Sequence, residues 1–171
     1  LDIAQSLNNL AKLYYVQGKY IEAEPLYKRS LAIREKSLGK NSPDVAQSLI
    51  NLAKLYQKQG RLDQAKFFAK RSLEIQKKIH GENHEDTAFS LNNLAAIYQA
   101  QRKYKQAEPL YQKSLAIRKK VLRDNHPDIG MSLNNLADLY RIEGKYKQAE
   151  PLLKESLAIW KESLGIEHYY V

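Results

Sequence analysis

Side-chain amides recur along the chain at a fixed spacing, and amides are well suited to holding an extended peptide. The recurring positions are Asn8-Asn9, Ile50-Asn51, Asn92-Asn93 and Asn134-Asn135, and each step is 42 residues. A side-chain amide offers two donors and an acceptor, which match the C=O and N–H groups of a peptide backbone. Such contacts hold a main chain irrespective of its sequence, so neighbouring side chains must supply specificity. The spacing indicates a row of binding amides, with the open alternative that the same amides bridge neighbouring copies of a repeated unit.

Other residue types that carry chemistry are spaced in ways that argue against a catalytic or metal site. His84, His126 and His168 also lie 42 residues apart, which places them in different copies rather than around one ion. Glu22 and Glu24 recur as surface residues of the repeat, and no phosphate-binding loop, dinucleotide fingerprint or nucleophile elbow occurs. The chain has no cysteine, which excludes thiolate chemistry. We therefore expect a protein that is not an enzyme, with no catalytic residue, no metal ion and no cofactor.

The 42-residue step extends along the whole chain and defines four copies of one unit. The phrase Ser6-Leu7-Asn8-Asn9-Leu10-Ala11 returns with changes at 48–53, 90–95 and 132–137. Lys19-Tyr20 returns as Arg61-Leu62, Lys103-Tyr104 and Lys145-Tyr146. The copies cover about 1–42, 43–84, 85–126 and 127–168, and Glu167-His168-Tyr169 begins a fifth. Because units of this length stack on their neighbours, we expect a single array over residues 1–171.

The hydrophobic pattern predicts two helices in each copy. In the first copy, the i, i+3, i+4, i+7 pattern of a packed helix face is formed by Leu7, Leu10, Ala11 and Tyr14. A second helix is expected from about Tyr20 to Leu38, with a buried face of Ala23, Tyr27, Ser30 and Leu31. The opposite face of the first helix collects Gln5, Asn8, Asn9, Lys12, Tyr15 and Val16. This second face is rich in amides, which is typical neither of a core nor of an ordinary charged surface.

Residues with special backbone preferences mark the ends of these helices. Gly18 is expected to end the first helix with a positive φ. Arg102 takes the equivalent place in the third copy, at a cost of about 1 kcal/mol if its φ is positive. Ser42-Pro43-Asp44 predicts a helix start with a serine N-cap, a proline in the first turn and an acid near the helix dipole. His126-Pro127-Asp128 repeats this pattern with a poorer cap.

The order of these residues resembles a known repeat family. Leu7, Leu10-Ala11, Tyr14, Gly18, Tyr20, Ala23 and Tyr27 are similar to a tetratricopeptide repeat, lengthened from its usual 34 residues. Leu-Asn-Asn-Leu-Ala, Gly-Lys-Tyr-Ile-Glu-Ala-Glu-Pro-Leu-Tyr from residue 18 and Asn-His-Pro from residue 125 resemble the repeats of kinesin light chains and their bacterial relatives. The resemblance implies an all-α fold, an α-solenoid coiled as a right-handed superhelix of four helix-turn-helix repeats. Its first helices would line a concave groove.

The same resemblance implies which residues face the ligand. In peptide-clamping tetratricopeptide domains the second asparagine contacts the ligand backbone, a role that falls here to Asn9, Asn51, Asn93 and Asn135. The basic position three residues later matches Lys12 and Lys54. The position before the clamp asparagine is often lysine where a chain-terminal carboxylate is captured, and its replacement here favours an internal acidic segment. The candidate groove set is completed by Asn8, Asn92, Asn134, Lys58 and Arg141.

The expected function is thus a non-catalytic scaffold that binds a protein or peptide partner, in the cytoplasm given the lack of cysteine. The net charge of +9 leaves nucleic-acid binding as an alternative, but most of the excess lysines and arginines fall on second helices without forming one stripe. Trp160 replaces Arg34, Gln76 and Arg118 at its position, and it is a candidate for ligand contact, for packing, or for self-association at the C-terminal end. No apolar run approaches the roughly 20 residues that span a bilayer, so no membrane partner is expected.

Overall fold

The computed structural model describes residues 1–164 of the chain, in which α-helix is the only regular secondary structure. The helices are α1 (Asp2–Val16), α2 (Tyr20–Leu38), α3 (Pro43–Lys58), α4 (Leu62–His80), α5 (Glu85–Ala100), α6 (Tyr104–Val121), α7 (Pro127–Ile142) and α8 (Tyr146–Leu164). Each odd-numbered helix packs against the even-numbered helix that follows it. The helix pairs repeat with the predicted step, and α2 has the predicted bounds. The predicted start of a fifth copy at 167–169 lies outside the described residues.

The chain divides into two compact units, Leu1–Glu82 and Asn83–Val171. In the first unit α2 packs on α3, and in the second unit α6 packs on α7. The core of the second unit shows how two helix pairs join. Tyr111 and Leu115 of α6 belong to one buried cluster with Leu139 of α7. Helix pairs within a unit therefore share one apolar core, which is the stacking that repeats of this length need.

The predicted buried faces are confirmed on α2 and α3, whereas on the predicted face of α1 only Ala11 is fully buried. The spacing on α2 correctly predicts the burial of Ala23, Tyr27, Ser30 and Leu31. On α3 the whole apolar stripe is buried, namely Leu49, Leu52, Ala53 and Tyr56. Leu10, however, is 40% exposed, whereas its equivalent Leu52 is 0% exposed. The difference arises because a preceding helix pair covers α3, whereas the corresponding face of α1 is uncovered in this structure.

A serine in each second helix fixes its pairing with the first helix. The hydroxyls of Ser30, Ser72, Ser114 and Ser156 donate to the carbonyl oxygens of Ala4, Ala46, Ala88 and Gly130, at 2.7, 3.0, 2.7 and 2.9 Å. All four serines are buried, so each bond satisfies a hydroxyl that would otherwise be left in the core. The acceptor residue is always alanine or glycine, and its small side chain lets the two helices approach closely.

The turns and helix starts follow the sequence signals closely. Gly18 has a φ of 75°, as predicted, and Arg102, whose φ the sequence left open, also has a positive φ, of 58°. The Ser42 hydroxyl accepts from Val45 N at 3.3 Å, which confirms the serine N-cap. His126 also caps its helix, as predicted for a poorer cap, because its Nδ1 accepts from Asp128 N at 3.2 Å.

His84 caps α5 in the same way, with Nδ1 accepting from Asp86 N at 3.2 Å. A neutral imidazole has one acceptor nitrogen, so it can replace the oxygen of a serine or aspartate cap. The recurrence of histidine at 42-residue spacing therefore has a structural cause in the second unit.

Candidate functional site

A cavity of about 440 Å³ opens in the first unit on the amide-rich face of α1. It is lined by Gln5, Asn8, Asn9, Lys12, Tyr15, Val16, Tyr27, Gln47, Asn51 and Lys54. The structure thus brings together the predicted face of α1, the equivalent residues of α3 and one tyrosine of α2. Tyr27 was expected only as a core residue, because its position on the buried face of α2 gave no sign that its edge reaches the cavity.

The amides of the cavity are linked to one another both along and across the helices. Asn51 Nδ2 donates to Asn8 Oδ1 at 2.8 Å, which joins α3 to α1. Asn51 Oδ1 accepts from Gln47 Nε2 at 3.1 Å, and Asn9 Oδ1 accepts from Gln5 Nε2 at 3.0 Å. Asn8 is almost fully buried, whereas Asn9 is exposed. Asn8 therefore lies in the seam between repeats together with its partner Asn51, whereas Asn9 lies at the open surface.

Two lysines bring positive charge into this amide-rich cavity. Lys12 is exposed, while Lys54 is half-buried. Burial lowers the pKa of the Lys54 ammonium, and the neighbouring charge of Lys12 lowers it further. Both effects penalise the charged form of Lys54, and an anion placed between the lysines would relieve the Coulombic part. The cavity thus has the electrostatics of a site for a carboxylate or another anion.

The tyrosines of the cavity supply neutral hydroxyl groups. Burial raises the pKa of Tyr27 to about 12, and the nearby Tyr15 phenol contributes to the rise. Burial also raises the pKa of Tyr15, to which the Tyr20 phenol adds. Both phenols therefore keep their protons at neutral pH and remain able to donate hydrogen bonds to an anionic ligand.

The equivalent amides of the second unit repeat the seam. Asn135 Nδ2 donates to Asn92 Oδ1 at 3.0 Å, which matches the Asn51–Asn8 bond of the first unit. Asn93 Nδ2 donates to the Phe89 carbonyl oxygen at 2.8 Å. Asn134, which has no further repeat after it in the described residues, is exposed. Asn8 and Asn92, with their partners Asn51 and Asn135, bridge neighbouring repeats, which is the alternative that the sequence left open for these amides. The binding role of the asparagines stays a prediction.

Charge is arranged differently in the second unit. Asp138 stands at the position of Lys12 and Lys54, and it accepts hydrogen bonds from Gln99 at 2.8 Å and from Arg141 at 2.6 Å. Tyr111 OH donates to Gln99 Oε1 at 2.9 Å, so the network continues into the core. A carboxylate at this position repels an acidic ligand instead of pairing with it. The first unit is therefore the better candidate for anion binding.

Two basic residues of the predicted site lie apart from the cavity of the first unit. Lys58 lies in the last turn of α3, outside the lining of that cavity. Arg141 lines a different, apolar depression in the second unit, together with Tyr146, Leu153 and Leu157. Their equivalents in the first copy, Val16 and Tyr15, line the cavity, so the repeat pattern places these residues on one face without showing which copies form a cavity.

A further feature that the sequence interpretation missed is an arginine buried between repeats. Arg118 is 1% exposed, and its NH1 group donates to the Asp128 carbonyl oxygen at 2.9 Å and to Ser132 Oγ at 2.7 Å. Arg34 makes the equivalent bonds in the first unit, to the Asp44 carbonyl oxygen at 3.2 Å and to Ser48 Oγ at 2.8 Å. These arginines are part of the junction between helix pairs, so they do not contribute to a basic outer surface.

The helix pairs, their shared cores and the recurring seams define an α-helical repeat protein. Comparison with protein-family models finds the tetratricopeptide repeat over residues 2–78, 68–120 and 86–162. The chain therefore belongs to the tetratricopeptide repeat family. Repeats of this family generally mediate protein–protein interaction, and the fold is generally a non-catalytic scaffold.

Solved structures place the chain near kinesin-light-chain-like members of that family. A candidate kinesin light chain from Podosopora anserina with nearly identical TPR-like repeats is 31% identical, with a TM-score of 0.80, over 92% of this chain and 75% of that one. Its Q17M variant is 30% identical, with a TM-score of 0.80, over 94% of this chain and 76% of that one. BtubC (BKLC) from P. vanneervenii shares the fold at 23% identity, with a TM-score of 0.82. The similarity covers 98% of this chain and 66% of BtubC.

Two further findings complete the comparison. No curated protein sequence matches the chain significantly. Among the described helices, none combines the length and the hydrophobicity that crossing a bilayer requires.

Proposed function

We propose that the cavity of the first unit binds an extended, acidic segment of a partner protein. The observation that carries this proposal is the meeting of Lys12 and Lys54 with the exposed amide of Asn9 in one open cavity. The lysines supply charge for a carboxylate, and the amide supplies donors and an acceptor for a peptide backbone. We propose the cytoplasm as the setting, because the chain has no cysteine.

The partly desolvated Lys54 makes the proposal testable through stability as well as affinity. A half-buried ammonium beside a second one destabilises the free protein, so Lys54→Met should stabilise it. The same change should weaken a glutamate-rich peptide about tenfold, since the peptide loses a partly desolvated ion pair. A gain in stability together with a loss of binding is the behaviour of a functional residue rather than of a structural one.

Binding is measured by fluorescence anisotropy with short labelled peptides rich in glutamate and leucine, and with matched peptides in which glutamine replaces glutamate. Lys70→Met is the control, because Lys70 is an exposed lysine on α4 outside the cavity and the change in charge is the same. If Lys54→Met binds the glutamate peptide as well as Lys70→Met does, the cavity is not the site.

The asparagines need a separate pair of variants, because Asn51 lies in the seam between repeats and Asn9 does not. Asn9→Ala removes an exposed amide and should weaken the peptide without changing the free energy of unfolding. Asn51→Ala breaks the bond to Asn8 and should reduce both affinity and stability, by about 1 kcal/mol for the latter. If Asn9→Ala leaves affinity unchanged while Asn51→Ala affects only stability, the amides serve the seam alone.

The sequence also suggests two alternative functions, nucleic-acid binding and self-association. Nucleic-acid binding through the net charge of +9 would show a steep dependence on salt, with unrelated oligonucleotides binding alike. Self-association would show a sedimentation coefficient that rises with protein concentration, and it is tested separately from peptide binding.

A further inference from the structure

Tyr27 brings a buried hydroxyl group to the cavity of the first unit without a hydrogen-bond partner. Its side chain lines that cavity and is only 4% exposed, and its hydroxyl bonds to none of the described residues. The hydroxyl of Tyr15, which is half-buried in the same cavity, bonds to no described residue either. A buried phenol normally has a partner, because a hydroxyl left without one costs free energy. The cavity therefore holds donors that the protein itself does not use.

The equivalent tyrosine of the second unit shows what such a hydroxyl bonds to when partners are present. Tyr111 OH donates to Gln99 Oε1 at 2.9 Å, and Gln99 Nε2 donates to the Asp138 carboxylate at 2.8 Å. In the first unit, Tyr15 stands at the position of Gln99, and Lys54 stands at the position of Asp138. The donors that lead to a carboxylate in the second unit therefore meet no carboxylate of the protein in the first.

The charge of the cavity is positive and is not balanced within the cavity. Lys12 and Lys54 are among the residues that line it, and none of those lining residues is an aspartate or a glutamate. The two ammonium groups are near enough for the charge of Lys12 to lower the pKa of Lys54. A single carboxylate would compensate only one of them, whereas a phosphorylated side chain carries about 1.5–2 negative charges at neutral pH. The charge of the cavity thus matches a phosphoryl group better than one glutamate.

The hydrogen bonds among the amides of the cavity use their oxygens and leave N–H groups. Arg34 Nη2 donates to Gln5 Oε1 at 2.7 Å, which fixes the orientation of this amide because a guanidinium group has donors only. Gln5 Nε2 then donates to Asn9 Oδ1 at 3.0 Å. Asn8 Oδ1 accepts from Asn51 Nδ2 at 2.8 Å. The Nδ2 groups of Asn8 and Asn9 bond to no described residue, so these amides offer donors to a ligand.

We infer that the acidic group held in the cavity of the first unit is a phosphorylated side chain of the partner segment. A phosphoryl group brings three acceptor oxygens and, as a dianion, no donor, which suits a cavity rich in donors. Its oxygens accept from the Tyr27 hydroxyl and the Asn8 amide, while its charge pairs with Lys12 and Lys54. The inference rests on the proposed function and names the chemistry of the acidic group in that partner.

Two consequences distinguish this site from a general acidic groove. The partner binds tightly only while it carries the phosphoryl group, so its phosphorylation controls its attachment to the array. The chain binds one such group, because Ala96 and Asp138 replace the two lysines in the second unit. A carboxylate at that place repels a phosphoryl dianion.

The decisive measurement compares three labelled peptides that differ at one central position. One sequence rich in glutamate and leucine carries phosphoserine, glutamate or serine there, and its binding to the whole chain is followed by fluorescence anisotropy. The phosphoserine peptide should bind about tenfold more tightly than the glutamate peptide, because it compensates both lysines. Titration at a fixed, high protein concentration should give one bound phosphoserine peptide per chain.

The pH dependence of binding reports the charge of the phosphoryl group directly. Between about pH 5 and about pH 7 the affinity for the phosphoserine peptide should rise, because the second pKa of the phosphoryl group is about 6. The affinity for the glutamate peptide should stay nearly constant over this range. No histidine or carboxylate lines the cavity, and loss of a proton from Lys54 would change affinity in the opposite direction.

Two tyrosine variants form a matched pair that separates binding from structure. Tyr27→Phe removes a hydroxyl without a partner, so it should weaken the phosphoserine peptide about fivefold and leave the melting temperature unchanged. Tyr111→Phe removes a hydroxyl that is bonded to Gln99, so it should lower the melting temperature and leave the affinity unchanged. Lys12→Met should remove most of the preference for phosphoserine over glutamate, whereas Lys70→Met, which changes an exposed lysine outside the cavity, should not.

Several results would overturn the inference. Equal affinities for the phosphoserine and glutamate peptides, both reduced by Lys54→Met, would refute the phosphoryl group and support the proposed function. Binding of neither peptide would refute both. If inorganic phosphate or an unrelated oligonucleotide displaces the phosphoserine peptide as well as the unlabelled peptide does, the cavity binds the free ion or nucleic acid instead. A loss of affinity in Tyr27→Phe no larger than in Tyr111→Phe would exclude the buried hydroxyl as a ligand contact.

Discussion

Replacing Gly130 by alanine should have opposite effects on stability depending on what stands at position 160. Alanine occupies the equivalent place in the other three copies, as Ala4, Ala46 and Ala88, and all three are 0% exposed. In the fourth copy a Cβ on Gly130 would lie 3.0 Å from Trp160 Nε1 and 3.3 Å from Trp160 Cε2. The indole of Trp160 therefore occupies the space that the missing methyl group leaves.

Two opposing contributions set the size of the effect. Alanine inside a helix is more favourable than glycine by about 0.5–1 kcal/mol. Overpacking a fitted contact costs about 1–3 kcal/mol, and the indole of Trp160 is a rigid group that can retreat only as a whole. We expect Gly130→Ala to destabilise the unchanged chain by about 1 kcal/mol. In a Trp160→Ala background the same change should stabilise the chain by about 0.5–1 kcal/mol.

The assay is a double-mutant cycle measured by urea unfolding, followed by circular dichroism because the only tryptophan is altered. The expected coupling between positions 130 and 160 is about 1.5–2 kcal/mol. The matched control is Ala88→Gly in the third copy, where Arg118 replaces the indole and the change should cost little beyond helix propensity. Equal effects of Gly130→Ala in both backgrounds would show that Trp160 yields freely and would refute the packing argument.

Two further changes test the contacts of Glu24 with α3 and the histidine cap of α7. Burial alone would raise the pKa of Glu24, but hydrogen bonds from Lys28, Tyr56 and Arg61 outweigh burial and lower it to about 2. Because the pKa of Glu24 is lower in the folded than in the unfolded chain, its charged form stabilises the fold above a pH of about 4.5, and this contribution is lost as the pH falls towards 2. The contribution amounts to about 1–2 kcal/mol once solvent screening is included. Glu24→Gln should make the free energy of unfolding depend less on pH in the acid range. An unchanged dependence would contradict the role given to the hydrogen bonds of Glu24. His126→Ala should cost about 0.5–1 kcal/mol through loss of the α7 cap, whereas His126→Ser should cost less, by thermal unfolding; equal losses would argue against a capping role.

The sequence predicts well whatever depends on the local pattern. Residues on the buried face of α2, the positive φ of Gly18 and the Ser42 cap all follow from spacing or backbone preference. Each of these features is decided within one or two helical turns, so neighbouring repeats could not overturn it. The family resemblance extended this reasoning to the all-helical repeat fold, which the family match confirms.

Features that depend on two repeats at once were harder to foresee. Asn8 and Asn9 share a helix face in sequence, but only the stacking of α3 on α1 decides that Asn8 faces the seam. From the sequence alone, Arg118 looks like one more surface cation. In the structure α7 covers it and supplies a carbonyl and a hydroxyl as hydrogen-bond acceptors. The capping role of His84 was missed because histidine is an uncommon cap. Spacing alone therefore locates such residues on a face without revealing which neighbour will cover it.

The serine-to-carbonyl bonds that recur in every helix pair bear on how such a chain can change in length. Each serine finds its acceptor within its own copy. Removing or duplicating 42 codons, from any starting point, joins equivalent positions of two copies, and the resulting chain keeps a full set of serine-to-carbonyl bonds. Unequal recombination between the near-identical stretches of such a gene would thus yield longer or shorter proteins that still fold. Selection can then act on the number of repeats almost independently of their individual sequences.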